Sequence, residues 1–329
     1  MSISTQSNDY QIFNDNSINI LNVTKENTID ALVTDPPYGI NYQSHEWDKC
    51  LPDKEIWQNT YKAMKPGSFG LVFSSVKLMH RLMVDLEDAG FLIKDVLFWV
   101  YLNGMPKSRD VALDIDKELG VESQVVGEYK YKQGYVKGGA SSYIQDISKS
   151  ICKPTSELAK KYQGSGLNLK PAYEPIILIQ KPIEKGLNIA QNIIKYGTGS
   201  LNIEECRIPY QKGESKVGHN PHHIGRIPAN LIRTEDFHDG YDKFFTVAKV
   251  RQNKDDFNFH PTLKPVELME YCIKLVSFEG MTVLDSFAGS GTTGVACQNS
   301  QRKFIGFELQ ENYYEIINRR INGNATGIF

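Results

Sequence analysis

Short apolar runs alternate with helically spaced apolar positions through the first hundred residues. Two prolines, Pro36 and Pro37, follow the run Ile29–Thr34 and cannot donate to a strand ladder, so this run predicts a buried strand that ends in a rigid loop. The pattern then predicts, in chain order, a turn at 65–67, a strand at 69–73, a helix at 78–88 that ends near Gly90, and a strand at 91–100. Alternating strands and helices predict a parallel sheet with helices on both faces.

The same alternation returns near the C-terminus. The expected elements are a helix from about 266 to 277, a strand at 282–285, a glycine-containing loop at 286–291, a helix that begins at 292, a strand at 304–308 and a final helix. This part of the chain is therefore also predicted to be α/β.

Hydrophobic periodicity fades in the middle of the chain. Residues 103–171 are rich in Gly, Ser, Tyr and Lys, residues 185–258 have mixed polarity, and a strand-like run at 176–179 lies between them. The first stretch is too long for an ordinary connecting loop. We therefore predict three divisions of the chain, namely 1–102, 103–258 with irregular insertions around a core strand near 173–181, and 259–329.

Charge is segregated along the chain. The 329 residues have a net charge of −2, but residues 101–258 hold about +4 and the flanks about −6. No apolar run is long enough for a membrane span, and the N-terminus lacks the pattern of a secretion signal, so a cytoplasmic protein is predicted. Five scattered cysteines without paired spacing argue against a disulfide framework and against a cysteine-based zinc site.

The C-terminal strand, glycine loop, helix and second strand predict a cofactor site. Gly289 and Gly291 allow a ligand close to the backbone, and the following helix N-terminus favours a carboxylate or phosphate. Glu308, at the end of the second strand, could accept hydrogen bonds from ribose hydroxyls. The spacing differs from that of dinucleotide-binding and phosphate-cradling loops. A nucleoside-containing cofactor is the expectation, and a plain strand-to-helix turn is the alternative.

The loop of Asp35, Pro36, Pro37 and Tyr38 predicts chemistry on a nucleobase amine. Such an amine is a poor nucleophile because its lone pair is delocalised into the ring. Accepting both N–H hydrogens, by the Asp35 carboxylate and the Pro36 carbonyl, would favour a pyramidal nitrogen. Tyr38 could stack on a base that has left the duplex. The alternative for this loop is a strand-ending turn with a solvated Asp.

Together these motifs resemble the permuted class of amino-methylating DNA methyltransferases, in which the catalytic motif precedes the cofactor motif. The matches are DPPY at 35–38, FxGxG at 287–291, the acidic ribose ligand at Glu308, TxKP at 262–265, and segments similar to phage- and prophage-associated members at 104–108 and 225–230. The resemblance spans nearly the whole chain.

The resemblance implies a Rossmann-like class I methyltransferase sheet with permuted motif order, S-adenosylmethionine as methyl donor and double-stranded DNA as partner. Residues 1–102 would form the catalytic half, 103–258 the target-recognition part and 259–329 the cofactor half, and a homodimer is compatible with the class. Asp35, where many cytosine-specific relatives have Ser, favours the N6 amino group of adenine. The implied cofactor residues are Asp15, Thr262, Lys264, Asp285, Phe287, Ala288, Gly289, Ser290, Gly291, Thr292, Thr293 and Glu308.

A basic and tyrosine-rich segment at 129–170 predicts DNA contacts. Lysines can neutralise phosphates and tyrosines can pack on sugars or bases, and the chosen residues are Lys130, Lys132, Tyr135 and Lys137. An ordinary solvated loop is the alternative. His219, His222 and His223, with Cys206 and His238 nearby, do not match a zinc spacing, and no metal is predicted.

Two other functions stay open at this point. One is methylation of the N4 amino group of cytosine by an enzyme of the same fold. The other is a catalytically silent DNA-binding protein on a methyltransferase scaffold, against which the intact Asp35, Tyr38 and glycine loop argue.

Overall fold

A computed structural model of the chain describes residues 3–6, 9–41, 45–101, 110–137, 141–169, 171–210, 225–233 and 263–321, with side chains except at 3–6, 131–137 and 141–146. The chain divides into two compact units. The large unit comprises Met1–Asn103 and Ala172–Phe329, and the small unit comprises Gly104–Pro171.

The strands of the large unit are β1 (Ile3–Gln6), β2 (Tyr10–Asn14), β3 (Ile29–Thr34), β4 (Met64–Phe73), β5 (Leu92–Val100), β8 (Tyr173–Gln180), β9 (Ile208–Pro209), β10 (Gly225–Arg226), β11 (Leu231–Arg233), β12 (Thr282–Asp285) and β13 (Lys303–Phe307). Its helices are α1 (Ile20–Val23), α2 (Lys54–Ala63), α3 (Met79–Asp88), α6 (Ile189–Tyr196), α7 (Val266–Val276), α8 (Thr292–Asn299) and α9 (Glu311–Ile321). The small unit contains the strands β6 (Gln124–Lys137) and β7 (Ser141–Lys153) and the helices α4 (Val111–Glu118) and α5 (Glu157–Lys161).

One mixed sheet organises the large unit. The strand order is β1-β2-β13-β12-β3-β4-β8-β5-β11. Strands β2, β13, β12, β3, β4, β5 and β11 run in one direction, whereas β1 and β8 are antiparallel to their neighbours. The predicted α/β class with a Rossmann-like, mostly parallel sheet is confirmed.

The sheet has a buried core on each face because helices cover both sides. Val33 of β3 belongs to the core under α7, and its neighbour Leu32 belongs to the opposite core, which contains Trp57 of α2 and Leu82 of α3. These side chains are almost fully buried. Each stabilises the fold by roughly 1.5–3 kcal/mol relative to an exposed position. This double burial explains why β3 is a continuous apolar run instead of an alternating one.

The central pair of parallel strands, β12 and β3, marks a reversal of strand order. From β12 the chain passes through α8 to β13 on one side, and from β3 it passes through α2 to β4 on the other. In open α/β sheets, ligands bind outside the carboxyl ends of the strands at such a switch point. The loops that follow β12 and β3 are therefore the expected position of a ligand site.

The turn expected at 65–67 is incorporated into a longer strand. The pairing of β4 with β3 is irregular, because Ile29 pairs with Met64 but Ala31 pairs with Phe69. Gly67 has φ +84°, and its N–H donates to the carbonyl oxygen of Lys181 at 3.0 Å. The turn residues thus form a bulge in β4, and the backbone N–H of Gly67 keeps a hydrogen-bond partner in the residue that follows β8.

The small unit corrects the expectation of an irregular insertion, since β6 and β7 form a long antiparallel hairpin. The sequence pattern did not predict it because none of the hairpin side chains that the structure describes, at 124–130 and 147–153, is buried. Val125 of β6 and Ile151 of β7, for example, are 63% and 46% exposed. Without a buried face, the period of two in hydrophobicity that signals a strand is absent.

The sequence-based boundaries at 102 and 258 remain a prediction. Among the helices that the structure describes, none combines the length and apolar content needed to cross a membrane.

The buried carboxylate of Asp116 holds the base of the hairpin. It accepts hydrogen bonds from the backbone N–H of Thr155 (2.7 Å) and from the backbone N–H and hydroxyl of Ser156 (3.0 and 2.6 Å), while Ser123 also donates to it at 3.1 Å. These hydrogen bonds, above all that from the Ser156 hydroxyl, lower the pKa of Asp116 to about 2. The carboxylate thereby joins α4 to the segment that follows β7.

We expect Asp116→Asn to loosen the base of the hairpin, because one amide oxygen cannot accept from all four donors. Amide hydrogen exchange at Thr155 and Ser156 should accelerate by about tenfold or more at neutral pH. The contribution of Asp116 is present above its ordinary pKa near 4 and is lost as the pH falls through about 2, because the folded-state pKa is lowered. Glu122→Gln, at an exposed position nearby, is the control, and equal protection in both variants would contradict this account.

Candidate active site

The loop that follows β3 is held in shape by a carboxylate from farther along the chain. Asp48, which is 1% exposed, accepts hydrogen bonds from the backbone N–H of Tyr38 at 2.6 Å and of Gly39 at 2.9 Å. Gly39 has φ +68°, and a Cβ there would lie 3.0 Å from the backbone nitrogen of Leu51. Asp48 belongs to no local sequence motif, since only the folded loop brings it back to Tyr38.

Five side chains meet beside this loop. The Tyr38 hydroxyl donates to Asp35 Oδ1 at 2.8 Å and lies 3.4 Å from Glu174 Oε2. Lys264 Nζ lies 2.5 Å from Asp35 Oδ2, 3.3 Å from the Tyr38 hydroxyl and 3.5 Å from Glu174 Oε2. The Tyr101 hydroxyl donates to Glu174 Oε1 at 3.3 Å. The result is a connected cluster of two carboxylates, one ammonium and two phenols.

Burial dominates the electrostatics of this cluster. It raises the pKa of Asp35 above its usual range, and the Lys264 ammonium opposes that shift. Burial also raises the pKa of Tyr38 well above its usual range, helped by the negative charges of Asp35 and Glu174, so its hydroxyl remains a donor. Burial by itself would lower the pKa of Lys264, but the two carboxylates outweigh this effect, so the pKa is raised.

Two members of the cluster, Glu174 and Tyr101, were not predicted from the sequence. Glu174 lies near the start of β8, the antiparallel strand inserted between β4 and β5, and Tyr101 directly follows β5. Neither residue belongs to a recognisable local motif. They reach Asp35 only through the strand order of the sheet, which sequence spacing does not reveal.

The glycine loop after β12 forms a tight turn into α8. Gly289 and Gly291 have φ +55° and +81°, values that favour glycine. A Cβ on Gly291 would lie 2.9 Å from Ile317 Cγ2, so the loop also packs closely on α9. Arg320 of α9 donates to the carbonyl oxygen of Ser290 at 2.7 Å and to the Thr292 hydroxyl at 3.2 Å. Arg320 was not predicted.

The buried carboxylate of Asp285 links the two loops. It accepts from the Thr34 hydroxyl at 2.7 Å, the Thr293 hydroxyl at 2.5 Å and the backbone N–H of Phe287 at 3.0 Å. Thr34 immediately precedes Asp35. Burial raises the pKa of Asp285 to about 6, although these hydrogen bonds act against the shift.

Glu308 follows β13 and faces the glycine loop. Its carboxylate accepts from the backbone N–H of Gly289 at 2.9 Å and of Gln310 at 2.8 Å. The side chain is 8% exposed, and burial raises its pKa to about 7 against the effect of those N–H groups. Each carboxylate oxygen retains lone-pair capacity for a further donor.

The family of the chain follows from its match to a family model. Residues 29–319 match the N6_N4_Mtase model, described as DNA methylase, which covers most of the chain. The chain belongs to this DNA methylase family. The methyltransferase uses S-adenosylmethionine to methylate DNA, so the predicted enzyme class and cofactor are confirmed.

Individual relatives agree with this assignment. The type II methyltransferase M.HindIII of Haemophilus influenzae is 26% identical and covers 97% of this chain and 97% of its own length. The DNA adenine methyltransferase YhdJ of Escherichia coli is 30% identical over 51% of this chain and 52% of its own. The solved structure of the PvuII DNA methyltransferase, cytosine-N4-specific, shares the fold, with a TM-score of 0.51 and 16% identity over 97% of this chain and 94% of that one.

The residues of the methyltransferase fit the adenosyl cofactor chemically. The Glu308 carboxylate can accept from a ribose diol, and the positive-φ glycines keep the loop free of side chains beside it. The buried hydroxyl of Ser286 has no hydrogen-bond partner within the described part of the chain, which leaves a donor for a ligand. Asp15 lies just beyond the carboxyl end of β2, the strand next to β13, where it accepts from Asn19 Nδ2 at 3.0 Å.

Most of the predicted site residues lie beyond the carboxyl ends of two neighbouring strands. Asp35, Pro36, Pro37 and Tyr38 lie after β3, and residues 285–293 lie after β12, at neighbouring strand ends. Lys264, assigned to the cofactor from its motif, contacts Asp35 and Tyr38. The residues outside the described set, or with undescribed side chains, are Thr262, Lys132, Tyr135, Lys137, His219, His222, His223 and His238.

No cluster of three or more His, Cys, Asp or Glu side chains is placed to hold a metal within the described ranges. This finding does not extend to the histidines of 219–238.

We expect the affinity for S-adenosylmethionine to depend on pH through Glu308. Above a pH of about 7 the carboxylate is ionised and can accept hydrogen bonds from both ribose hydroxyls. Below it, protonation removes that capacity, so affinity should fall by up to about tenfold per pH unit. Calorimetric titration from pH 8 to 5.5 measures this. Glu308→Gln should bind weakly with little pH dependence, and a flat profile in the native enzyme would remove Glu308 from the cofactor site.

Proposed function

We propose that this methyltransferase transfers the methyl group of S-adenosylmethionine to the N6 amino group of adenine in double-stranded DNA. The observation that supports this most directly is the largely buried Asp35 carboxylate, hydrogen-bonded to Tyr38 just beyond the carboxyl end of β3. The glycine loop with Glu308 lies at the neighbouring strand ends. Donor and acceptor sites are thereby adjacent, which in-line transfer requires.

Asp35 acts on the target amine as a hydrogen-bond acceptor. In accepting one N–H, with the Pro36 carbonyl accepting the other, it favours a nitrogen whose lone pair is available for bonding to the methyl carbon. When the new N–C bond forms, the amine becomes cationic and loses a proton. The Asp35 carboxylate can take that proton, because burial raises its pKa. When bound, S-adenosylmethionine supplies a methyl carbon activated by its sulfonium, whose S–C electrons stay on sulfur.

Tyr38 provides a surface for the target base. Its hydroxyl is bonded to Asp35, and Asp48 holds its backbone, so the ring has a defined position before a base arrives. A base inside the duplex cannot reach such a site, so it must leave the stack. Stacking on the Tyr38 ring offsets part of that cost.

Adenine is favoured over cytosine by two observations. Asp35 occupies the first position of the DPPY motif, where many cytosine-specific relatives have Ser. In addition, the YhdJ relative, which is 30% identical over half of this chain, is a DNA adenine methyltransferase. Methylation of cytosine N4 is the second candidate, because the PvuII enzyme has the same fold.

The small unit is proposed to contact DNA. Lys130 is exposed on β6, opposite Ser148 of β7, and Lys149 follows on the same hairpin. Lysines along an exposed ribbon can neutralise phosphates without reading bases. A cytoplasmic location and a homodimer remain predictions.

We expect Asp35→Ala to slow methyl transfer on the order of 100-fold or more, while cofactor affinity changes little, because Asp35 is proposed to contact the base. Tyr38→Ala should remove stacking worth roughly 1–3 kcal/mol. The transfer rate of Tyr38→Phe should lie between those of Tyr38→Ala and the native enzyme, since phenylalanine keeps the ring but loses the hydrogen bond to Asp35.

The measurement is single-turnover transfer of labelled methyl to duplex DNA with the cofactor saturating, followed by nucleoside identification. Asp88→Ala, on the exposed end of α3, is the control. A folded Asp35→Ala enzyme of near-native rate would refute the mechanism, and label on cytosine would refute the adenine assignment.

We expect replacement of Lys130, Lys132 and Lys137 by Ala to weaken DNA binding and to flatten its salt dependence. Each lost phosphate contact should remove about one unit from the slope of log affinity against log salt. A matched triple variant removes the same charge at exposed lysines near the amino ends of strands, namely Lys25, Lys62 and Lys303. Equal slopes for the two variants, measured by fluorescence anisotropy, would exclude the hairpin lysines from the interface.

A further inference from the structure

Lys264 and Tyr38 have the same two acceptors within reach. The Lys264 ammonium lies 2.5 Å from Asp35 Oδ2 and 3.5 Å from Glu174 Oε2, and the Tyr38 hydroxyl lies 2.8 Å and 3.4 Å from the corresponding carboxylates. Both donors therefore favour Asp35 but are close enough to Glu174 to be shared. Lys264 is only 9% exposed, so water cannot easily take the place of either carboxylate as a partner of the ammonium.

The contacts of Asp35 with Tyr38 and Lys264 oppose its proposed role as a hydrogen-bond acceptor for the target amine. Both of its oxygens accept hydrogen bonds from the protein, Oδ1 from Tyr38 and Oδ2 from Lys264. An ammonium paired closely with Asp35 also cancels the negative charge that should stabilise a positive charge developing on the amine. A second carboxylate next to the same ammonium can relieve that cancellation.

We propose that Glu174 is a positioning residue that takes over the Lys264 ammonium when the target base enters, and so leaves the charge of Asp35 to the amine. The inference rests on the proposed function of Asp35. With two carboxylates and one ammonium, the cluster has a formal charge of −1. A methylated amine adds +1 before it loses its proton, so the buried site passes through neutrality instead of a net positive charge, which would be costly there.

The position of Glu174 suits this role. It lies on β8, a different strand from the Asp35 loop, and Tyr101 donates to its other oxygen, Oε1, at 3.3 Å. That hydrogen bond fixes the carboxylate while Oε2 faces Lys264. Lys264 also lies 5.1 Å from the centre of the Phe73 ring and 5.5 Å from that of Tyr38, so the ammonium sits among aromatic faces that stabilise it between the two acids.

The pH dependence of the methyl-transfer rate can test whether Glu174 takes over the Lys264 ammonium from Asp35. The titratable groups around Asp35 in the described structure are Tyr38 on its own loop, Lys264 before α7, Glu174 on β8 and Asp285 at the end of β12. After burial, which acts most strongly, the charge of Glu174 also raises the pKa of Asp35. Removing that charge lowers the pKa, so Asp35 stays ionised to a lower pH and the acidic limb of the rate profile moves down.

The test is Glu174→Gln, which keeps the shape of the side chain but removes its charge. Single-turnover methyl transfer to adenine-containing duplex DNA is followed from pH 5 to 9 with saturating S-adenosylmethionine. We expect a rate about tenfold lower at neutral pH, less than for a group that touches the base, with cofactor affinity unchanged and the acidic limb at lower pH. Glu184→Gln, which breaks a carboxylate–lysine pair elsewhere in the large unit, should leave both rate and profile unchanged.

A double-mutant cycle separates this role from simple packing. If Glu174 acts through Lys264, Glu174→Gln should cost much less in a Lys264→Met enzyme than in the native one, with a coupling of at least about threefold in rate. If Glu174→Gln does not fold, Glu174→Asp moves the carboxylate away by one methylene and should shift the acidic limb in the same direction by a smaller amount.

A lower rate with an unmoved acidic limb and no coupling to Lys264 would overturn the inference, as would a native rate in a folded Glu174→Gln enzyme. Both outcomes leave the proposed function intact while the native enzyme labels adenine and Asp35→Ala does not. Failure of the proposed function has a different signature, since it appears in the native enzyme or in Asp35→Ala.

Discussion

The hydrogen bonds of Asp285 connect the loop that carries Asp35 to the glycine loop of this methyltransferase. The carboxylate lies at the end of β12 and accepts from Thr34 at the end of β3 and from Thr293 at the start of α8. It therefore joins the strand that leads to Asp35 to the helix that follows the glycine loop. Because the group is buried, water cannot readily replace a lost partner, and removing one donor would leave part of the carboxylate's hydrogen-bonding capacity unsatisfied. The spacing between the donor site and the base site depends on this connection.

A second constraint is the concentration of charge in the neighbouring cluster. Asp35, Glu174 and Lys264 are all largely removed from water. Breaking up such a group by removing one member is strongly unfavourable, whereas a well-packed apolar replacement of the whole group is often tolerated for stability alone. The cluster is thus better explained by chemistry than by stability, and its phenols serve the same end by keeping their protons at neutral pH.

Site residues that belong to local motifs could be predicted from the sequence, whereas site residues brought together from distant parts of the chain could not. The loops at 35–38 and 287–291 and the acid at 308 are local patterns at strand ends, and the structure places them at neighbouring strand ends at the switch point. Asp48, Glu174 and Tyr101 were missed because loop closure and strand order bring them to the site. The hairpin was missed for a different reason, since none of its described apolar side chains is buried and they leave no alternating pattern.

The strand order also constrains how the protein is made. Strands β2 and β3 are consecutive in the chain, yet β13 and β12 separate them in the sheet. A ribosome releases the first two strands long before the segment 282–307 exists, so the growing sheet has a central gap two strands wide. Unpaired edges on both sides of such a gap invite association with other chains, and pairing over this sequence distance is slow. A chain of this design is therefore expected to depend on chaperones until the segment 282–307 emerges.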